Sequence, residues 1–202
     1  MPAWNDVKLS KDEIRQRKKE ALIGQAASEF RRRGYHATSM DDIAAALGVT
    51  KGALYRYVKS KDEVLYECFK HSNRIGDAAL DLAHGVEGSA AEKLARFLRE
   101  FIRNYLDSNL AGGAMVEIDA LLPEQRREVV AGRDRIGRHL RELIEAGVAD
   151  GSISTESPKL MIFTFMGAIN WIPSWFSPEG ELGSEEIAVQ VTRILMDGIR
   201  SR

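Results

Sequence analysis

The chain has 202 residues, 44% hydrophobic and 29% charged, a balance that excludes a disordered, collagen-like or membrane-embedded polypeptide and suits one or two globular units. One cysteine, Cys68, excludes an internal disulfide and any cysteine-rich metal centre, and suits a reducing compartment, the cytoplasm. The net charge of −1 hides an asymmetry, because residues 1–60 carry 12 Lys/Arg against 7 Asp/Glu while residues 61–202 carry 17 against 23, and a basic N-terminal unit points to an anionic partner.

Residues 1–20 are polar and lack the apolar core of a secretory signal, so export is not expected. Ile14, Ala21, Leu22, Ala26 and Phe30 share one helix face, and Gly34 follows as a stop. This predicts a first helix over Lys11–Arg33 whose other face is rich in Lys and Arg. Ser39 with Asp42 forms a capping-box pattern, and Ile43, Ala44 and Leu47 before Gly48 predict a two-turn helix. Thr50 can cap a third helix from Lys51 to about Val58. Ser60 with Glu63 opens a longer helix carrying Val64, Leu65, Cys68 and Phe69. Only Gly48, Val49 and Thr50 separate the second and third helices, the spacing of a helix-turn-helix whose second helix enters the DNA major groove.

Farther along, Ser89 opens a helix carrying Leu94, Phe97, Leu98, Phe101, Ile102 and Tyr105 on one side. A long helix runs from about Pro123 to Ala149, Pro158 opens an apolar helix to about Phe176, and Ser184 opens the last. The uncharged run Leu160–Trp175 is shorter than the roughly 20 residues a membrane span needs, and Pro173 interrupts it. It reads as a buried helix, and no membrane partner is expected. No segment alternates apolar and polar residues as a half-buried strand does. The expected fold is all-α, with a three-helix helix-turn-helix head over residues 1–59 and a helical body over residues 60–202.

A recognition helix must be short, free of acidic groups on its groove face, and supplied with donors for phosphates and base edges. Lys51–Lys59 meets these conditions. Lys51, Tyr55, Arg56, Tyr57 and Lys59 supply cationic or phenolic groups, Gly52 lets backbone approach DNA, and Ala53, Leu54 and Val58 can turn inward. Arg56 can grip guanine O6 and N7 together, while Lys51, Lys59 and Lys61 suit phosphates and Thr38, Ser39 and Thr50 can add neutral phosphate contacts. The competing reading makes these cations a solvated face and the two tyrosines half-buried core. The capped three-helix pattern, the glycine-containing turn and the local positive charge together favour DNA, with one tyrosine left to a structural role.

The run from Thr38-Ser39-Met40-Asp41-Asp42-Ile43-Ala44 through Gly48-Val49-Thr50-Lys51-Gly52-Ala53-Leu54-Tyr55-Arg56-Tyr57 to Lys59-Ser60-Lys61-Asp62-Glu63-Val64-Leu65 resembles the TetR family of bacterial transcriptional regulators. The likeness covers roughly residues 12–69, and Val58 stands where an aromatic residue is common. It implies a homodimer with two DNA-binding heads on an operator, an effector pocket in the body, and loss of DNA affinity when the effector binds. The family's DNA-contacting positions fall on Thr38, Thr50, Lys51, Gly52, Tyr55, Arg56, Tyr57 and Lys61. The segment Gly167-Ala168-Ile169-Asn170-Trp171-Ile172-Pro173, with Trp175-Phe176-Ser177-Pro178-Glu179-Gly180, is similar to a subgroup tied to fatty-acid or sterol catabolism, which implies an acyl-CoA or a related hydrophobic acid as effector.

In the body, the last helix carries Ile187, Val191, Ile194, Leu195 and Ile199 as a stripe suited to pairing across a two-fold axis. Phe97, Phe101, Tyr105, Met115 and Leu121, with Leu140, Phe163, Phe165, Met166 and Trp171, can line an apolar pocket, each with plain core as the alternative. Arg126, Arg127, Arg133, Arg135, Arg138 and Arg141 crowd the long helix, either as a solvated face or as a holder for an anionic head. No phosphate loop, dinucleotide fingerprint, paired metal histidines or nucleophile elbow occurs, so neither catalysis nor a cofactor or metal is expected. Cys68 at an apolar helix position reads as a small buried hydrophobe. The other classes weighed are an all-helical enzyme or carrier for hydrophobic acids, and a ligand-independent DNA-binding protein.

Overall fold

The computed structural model describes residues 10–108 and 117–198, and among these every regular element is helical. Met115 and Ile199 lie outside the described residues. Ser10 caps α1 (Lys11–Arg33) in a full capping box with Glu13, and the chain stops at Gly34. Ser39 and Asp42 close the same box on α2 (Met40–Ala46): the Ser39 hydroxyl accepts from the Asp42 amide at 3.1 Å, and the Asp42 carboxylate accepts from the Ser39 amide at 2.8 Å. Gly48 takes φ 66°, the left-handed conformation the turn into α3 requires.

The third helix is shorter than its sequence predicts. α3 covers Lys51–Leu54 alone, capped by Thr50, and the chain then tightens into turns in which the Arg56 and Tyr57 amides donate to Ala53 and Leu54 carbonyls. Tyr-Arg-Tyr-Val is rich in weak helix formers, and burial of Val58 draws the chain inward toward α4 (Lys61–His84). The Ser60 hydroxyl accepts from the Glu63 amide, but the Glu63 carboxylate accepts from the amide of Lys59 instead of completing the box.

In the body, α5 (Ala90–Asp107) lies centrally against α4, α6 (Pro123–Ala149) and α8 (Ser184–Asp197), while α7 (Pro158–Trp171) returns along α6. α5 is the core spine. Phe97, Phe101 and Tyr105 are buried and stack in sequence, with centroids 5.6 and 5.7 Å apart. Two apolar cores result. One joins α4, α5, α6, α7 and α8, and the other fills the head with Leu22, Phe30, Tyr35, Ile43, Leu54, Val58, Val64, Leu65, Cys68 and Phe69. The head core does not end where the head helices do, because Leu121 and Val129 from the start of α6 are buried in it, with Ile118 and Ala120 packed alongside.

The α4–α6 crossing is close. Asn73 Nδ2 on α4 donates to the Val129 carbonyl at 3.1 Å, and a Cβ on Gly132 would stand 2.2 Å from that same nitrogen. One turn along, a Cβ on Gly76 would stand 2.5 Å from Ile136 Cδ1. Cys68 is buried with its thiol toward the Ile23 carbonyl, and burial raises its pKa, as a small core hydrophobe requires. No helix among the described residues is long and apolar enough to cross a membrane.

The stripe expected on the last helix is corrected. Ile187 is buried in the chain's own core, and Val191 and Leu195 pack against that core, because α8 turns its most apolar side to α5. Ile194 alone of the four described residues points outward, 68% exposed. The larger outward apolar face belongs to α7. There Leu160, Phe163 and Trp171 are 62–69% exposed, and the small residues Gly167 and Ala168 lie exposed between them.

Candidate nucleic-acid interface and ligand cavity

The head presents one basic surface. Lys51, Gly52, Tyr55, Arg56 and Lys59 are exposed on α3 and the turn after it, with Ser39 and Thr50 exposed at the two N-caps. Lys51 Nζ is 2.8 Å from the Asp41 carboxylate, which raises the pKa of its ammonium by hydrogen bond and charge and keeps it cationic. The two tyrosines divide as anticipated. Tyr55 is 47% exposed, whereas Tyr57 is half-buried against the head core.

Two residues expected at DNA are occupied internally. Thr38 is buried, with its hydroxyl donating to the Gly34 carbonyl at 2.8 Å, so that hydroxyl is turned away from any phosphate. Lys61 Nζ donates to the carbonyls of Tyr35 and Thr38, each at 3.0 Å, and lies 4.3 Å from the Tyr35 ring centroid. Tyr35 in turn donates its hydroxyl to Asp62. Lys61 and Asp62 thus strap the start of α4 to the α1–α2 connection. The sequence reading also omits a groove between α1 and the turn after α3, lined by Lys11, Arg15, Lys18, Arg56 and Tyr57. The i, i+4, i+7 spacing of Lys11, Arg15 and Lys18 is the signal that marks it.

A second concavity, about 550 Å³, lies in the body between α4, α5, α6 and α7. Its apolar wall is made by Phe101, Ile136, Leu140, Ile162, Phe163 and Met166, so Phe101, Leu140 and Met166 line it as expected. Phe97, Tyr105 and Phe165 do not, since all three are closed into the core, and Trp171 sits on the outward face of α7 at 69% exposure. Helical rotation explains the difference. Phe165 and Met166 are about 100° apart on α7, so one enters the core and the other the cavity.

The polar lining is cationic. Arg133, Arg138 and Arg141 from α6 and Lys159 from α7 reach the cavity, against one carboxylate, Asp134. Elsewhere on α6, Arg135 clasps Asp77 and Arg126 meets Asp119 at the outer surface. Arg133 is the most enclosed of the cavity cations: its guanidinium carbon lies 5.0 Å from the Phe69 ring centroid, and burial lowers its pKa. Asn170 Oδ1, also at the cavity, is buried without a hydrogen-bond partner among the described residues. No group of three residues able to hold a metal ion occurs among the described residues.

A helix-turn-helix head beside a body with an apolar cavity is a sensor-regulator arrangement, and comparison with known families is decisive. Residues 22–68 match the model described as bacterial regulatory proteins of the tetR family, and residues 87–199 match the tetracyclin repressor-like C-terminal domain. The chain belongs to the TetR family. TetR proteins are transcriptional regulators, not enzymes, and this chain is one of them. It is 28% identical over 190 residues to the HTH-type transcriptional repressor KstR2 of Rhodococcus jostii (strain RHA1), covering 89% of this chain and 90% of the other. The TetR regulator PfmR from Thermus thermophilus is 32% identical with a TM-score of 0.74, covering 87% of this chain and 97% of PfmR. AibR, solved with isovaleryl coenzyme A and operator DNA, is 27% identical with a TM-score of 0.72, covering 89% of this chain and 98% of AibR.

Proposed function

We propose that the protein is a homodimeric transcriptional repressor of the cytoplasm that leaves its operator when an acyl-CoA thioester enters the cavity of the body. The observation that carries this reading is the composition of the cavity, an apolar wall beside Arg138, Arg141 and Lys159. The wall suits an acyl chain, and the cations suit the phosphates of coenzyme A. The similarity to AibR, a protein captured with an acyl-CoA and DNA, supports the same assignment.

On this reading residues 1–59 bear the DNA contacts and residues 60–202 hold effector and partner. Lys51, Tyr55 and Arg56 enter the major groove, Lys59 with Ser39 and Thr50 meets phosphates, and Gly52 admits the backbone. Thr38, Tyr57 and Lys61 act from within the head by fixing the presentation of those groups. The two copies meet through the outward face of α7, with Ile194 beside it, since exposed contiguous apolar surface of this kind marks an interface.

The mechanism is a two-state shift. Two heads bind together only when their recognition elements match major grooves about 34–36 Å apart. α6 touches both ends of the problem: Arg133, Arg138 and Arg141 line the cavity, and Val129 is embedded in the head core. A ligand that repositions α6 therefore moves the head, and it favours the released geometry by its difference in affinity for the two states.

Fluorescence anisotropy of the purified protein on DNA upstream of its own gene, with and without octanoyl-CoA, tests the reading. Saturable binding that octanoyl-CoA reverses is the expected result. Binding that no acyl-CoA reverses removes the effector assignment and leaves the regulator.

A further inference from the structure

The cavity is polar at both ends and apolar between them. α6 and α7 are joined by a short connection and run antiparallel, so Arg141 faces the start of α7, where Lys159 stands, and Arg133 faces its far part, where Asn170 stands. Arg133 and Arg141 are separated by about 12 Å of helix, and Lys159 and Asn170 by about 16 Å, at roughly 1.5 Å per residue. Between these ends the wall is Phe101, Ile136, Leu140 and Met166.

The two ends differ in chemistry. At one, Arg138, Arg141 and Lys159 are cations open to solvent, as phosphates require. At the other, Arg133 is desolvated beside Phe69, and Asn170 holds a buried acceptor that nothing among the described residues satisfies. A purely hydrocarbon chain end placed here leaves the Asn170 oxygen orphaned, which costs affinity. A hydroxyl donates to Asn170 Oδ1 and accepts from Arg133. A carboxylate accepts from Arg133 but supplies no donor, and it meets the charge of Asp134 on the same rim.

We infer that the effector is an acyl-CoA whose chain carries a hydroxyl at the end remote from the thioester, read by Asn170 and Arg133. The inference rests on the assignment of the cavity to an acyl-CoA. It also gives the remote end a part in induction, since Arg133 contacts Phe69, a member of the head core. The chain terminus is thus sensed on the side of the cavity that adjoins the DNA-binding unit.

Isothermal titration of the full chain with coenzyme A, octanoyl-CoA, 8-hydroxyoctanoyl-CoA and suberyl-CoA tests it. The hydroxylated thioester is expected to bind about tenfold more tightly than octanoyl-CoA, the discrimination that one buried unpaired group imposes. In Asn170→Leu that advantage should vanish while octanoyl-CoA binding holds, and Arg133→Met provides a second variant if Asn170→Leu misfolds. Octanoyl-CoA binding as tightly as the hydroxylated compound overturns the inference and leaves the acyl-CoA assignment standing. A preference for suberyl-CoA over both overturns the hydroxyl in favour of a second anion. Failure of all four probes removes the acyl-CoA assignment itself, and the inference with it.

Discussion

Asn73 on α4 donates its side-chain amide to the carbonyl of Val129 on α6, and the nitrogen that does so occupies the space a β-carbon on Gly132 would need. The two residues are therefore coupled. Gly132→Ala gains up to about 1 kcal/mol of helix propensity but displaces Asn73 and its hydrogen bond, worth about 1 kcal/mol before the packing strain is added. Gly132→Ala alone should destabilise the protein. In an Asn73→Ala background the same change should stabilise it, and urea midpoints of the four proteins in the cycle read this reversal of sign.

Lys51 and Asp41 give a second test. Their ion pair is exposed, so its own contribution to stability is small, but Asp41 offsets a cation on the DNA-facing surface. Asp41→Asn should tighten operator binding a few-fold, Lys51→Ala should weaken it, and only Lys51→Ala should flatten the salt dependence, by a slope of about 0.9. Anisotropy titrations across a salt series measure both.

Lys61 should behave differently from Lys51. Lys61→Met removes two hydrogen bonds to the carbonyls of Tyr35 and Thr38 and should lower stability by about 1–3 kcal/mol. Thermal melts should register this loss, while the salt slope of DNA binding stays that of the parent. A reduced slope at unchanged stability would reassign Lys61 to phosphate.

Stability should fall in acid for a specific reason. Asp42 is held below the ordinary aspartate value by the Ser39 hydroxyl and amide and by Arg33, Asp150 by the Ala90 amide and by Ser152, and Glu13 by the amide and hydroxyl of Ser10. Each folded value lies below the unfolded one, so the stabilisation is complete above the unfolded value of about 4 and is lost as pH falls through the depressed folded values. Urea midpoints should hold level from about pH 7 to about 5 and decline below it. The decline should be shallower in Asp42→Asn.

The outward face of α7 can be tested without disturbing the fold. A Cβ on Gly167 meets nothing within 4 Å in its own chain, so Gly167→Glu has room in the subunit and places a charge amid Phe163, Ala168 and Trp171. Sedimentation velocity should find a monomer with unchanged helical circular dichroism. A dimer that persists would move the interface elsewhere.

Local rules carry a sequence reading furthest where they act alone. The bounds of α1, the Ser39–Asp42 box and the burial of Leu54, Val58 and Cys68 follow from periodicity and capping. Periodicity assigns a residue to a face of its helix but not to what that face meets. Ile187 is legible as apolar yet serves its own core, and α7, apolar all round, divides its sides among core, cavity and exterior. Lys61 and Thr38 escape a sequence reading for a related reason, since a donor is visible in a sequence whereas the carbonyl that engages it is set by the folded loop.

Because Leu121 and Val129 complete the apolar interior of the head, the head is not a detachable module. A fragment ending at residue 59 or at the close of α4 would open a hole in its own centre. A chimera that joins this reading head to a foreign sensor must bring residues 118–129 with it, or supply replacements of matching shape. Exchange of sensors between such regulators is thereby confined to partners that share this plug.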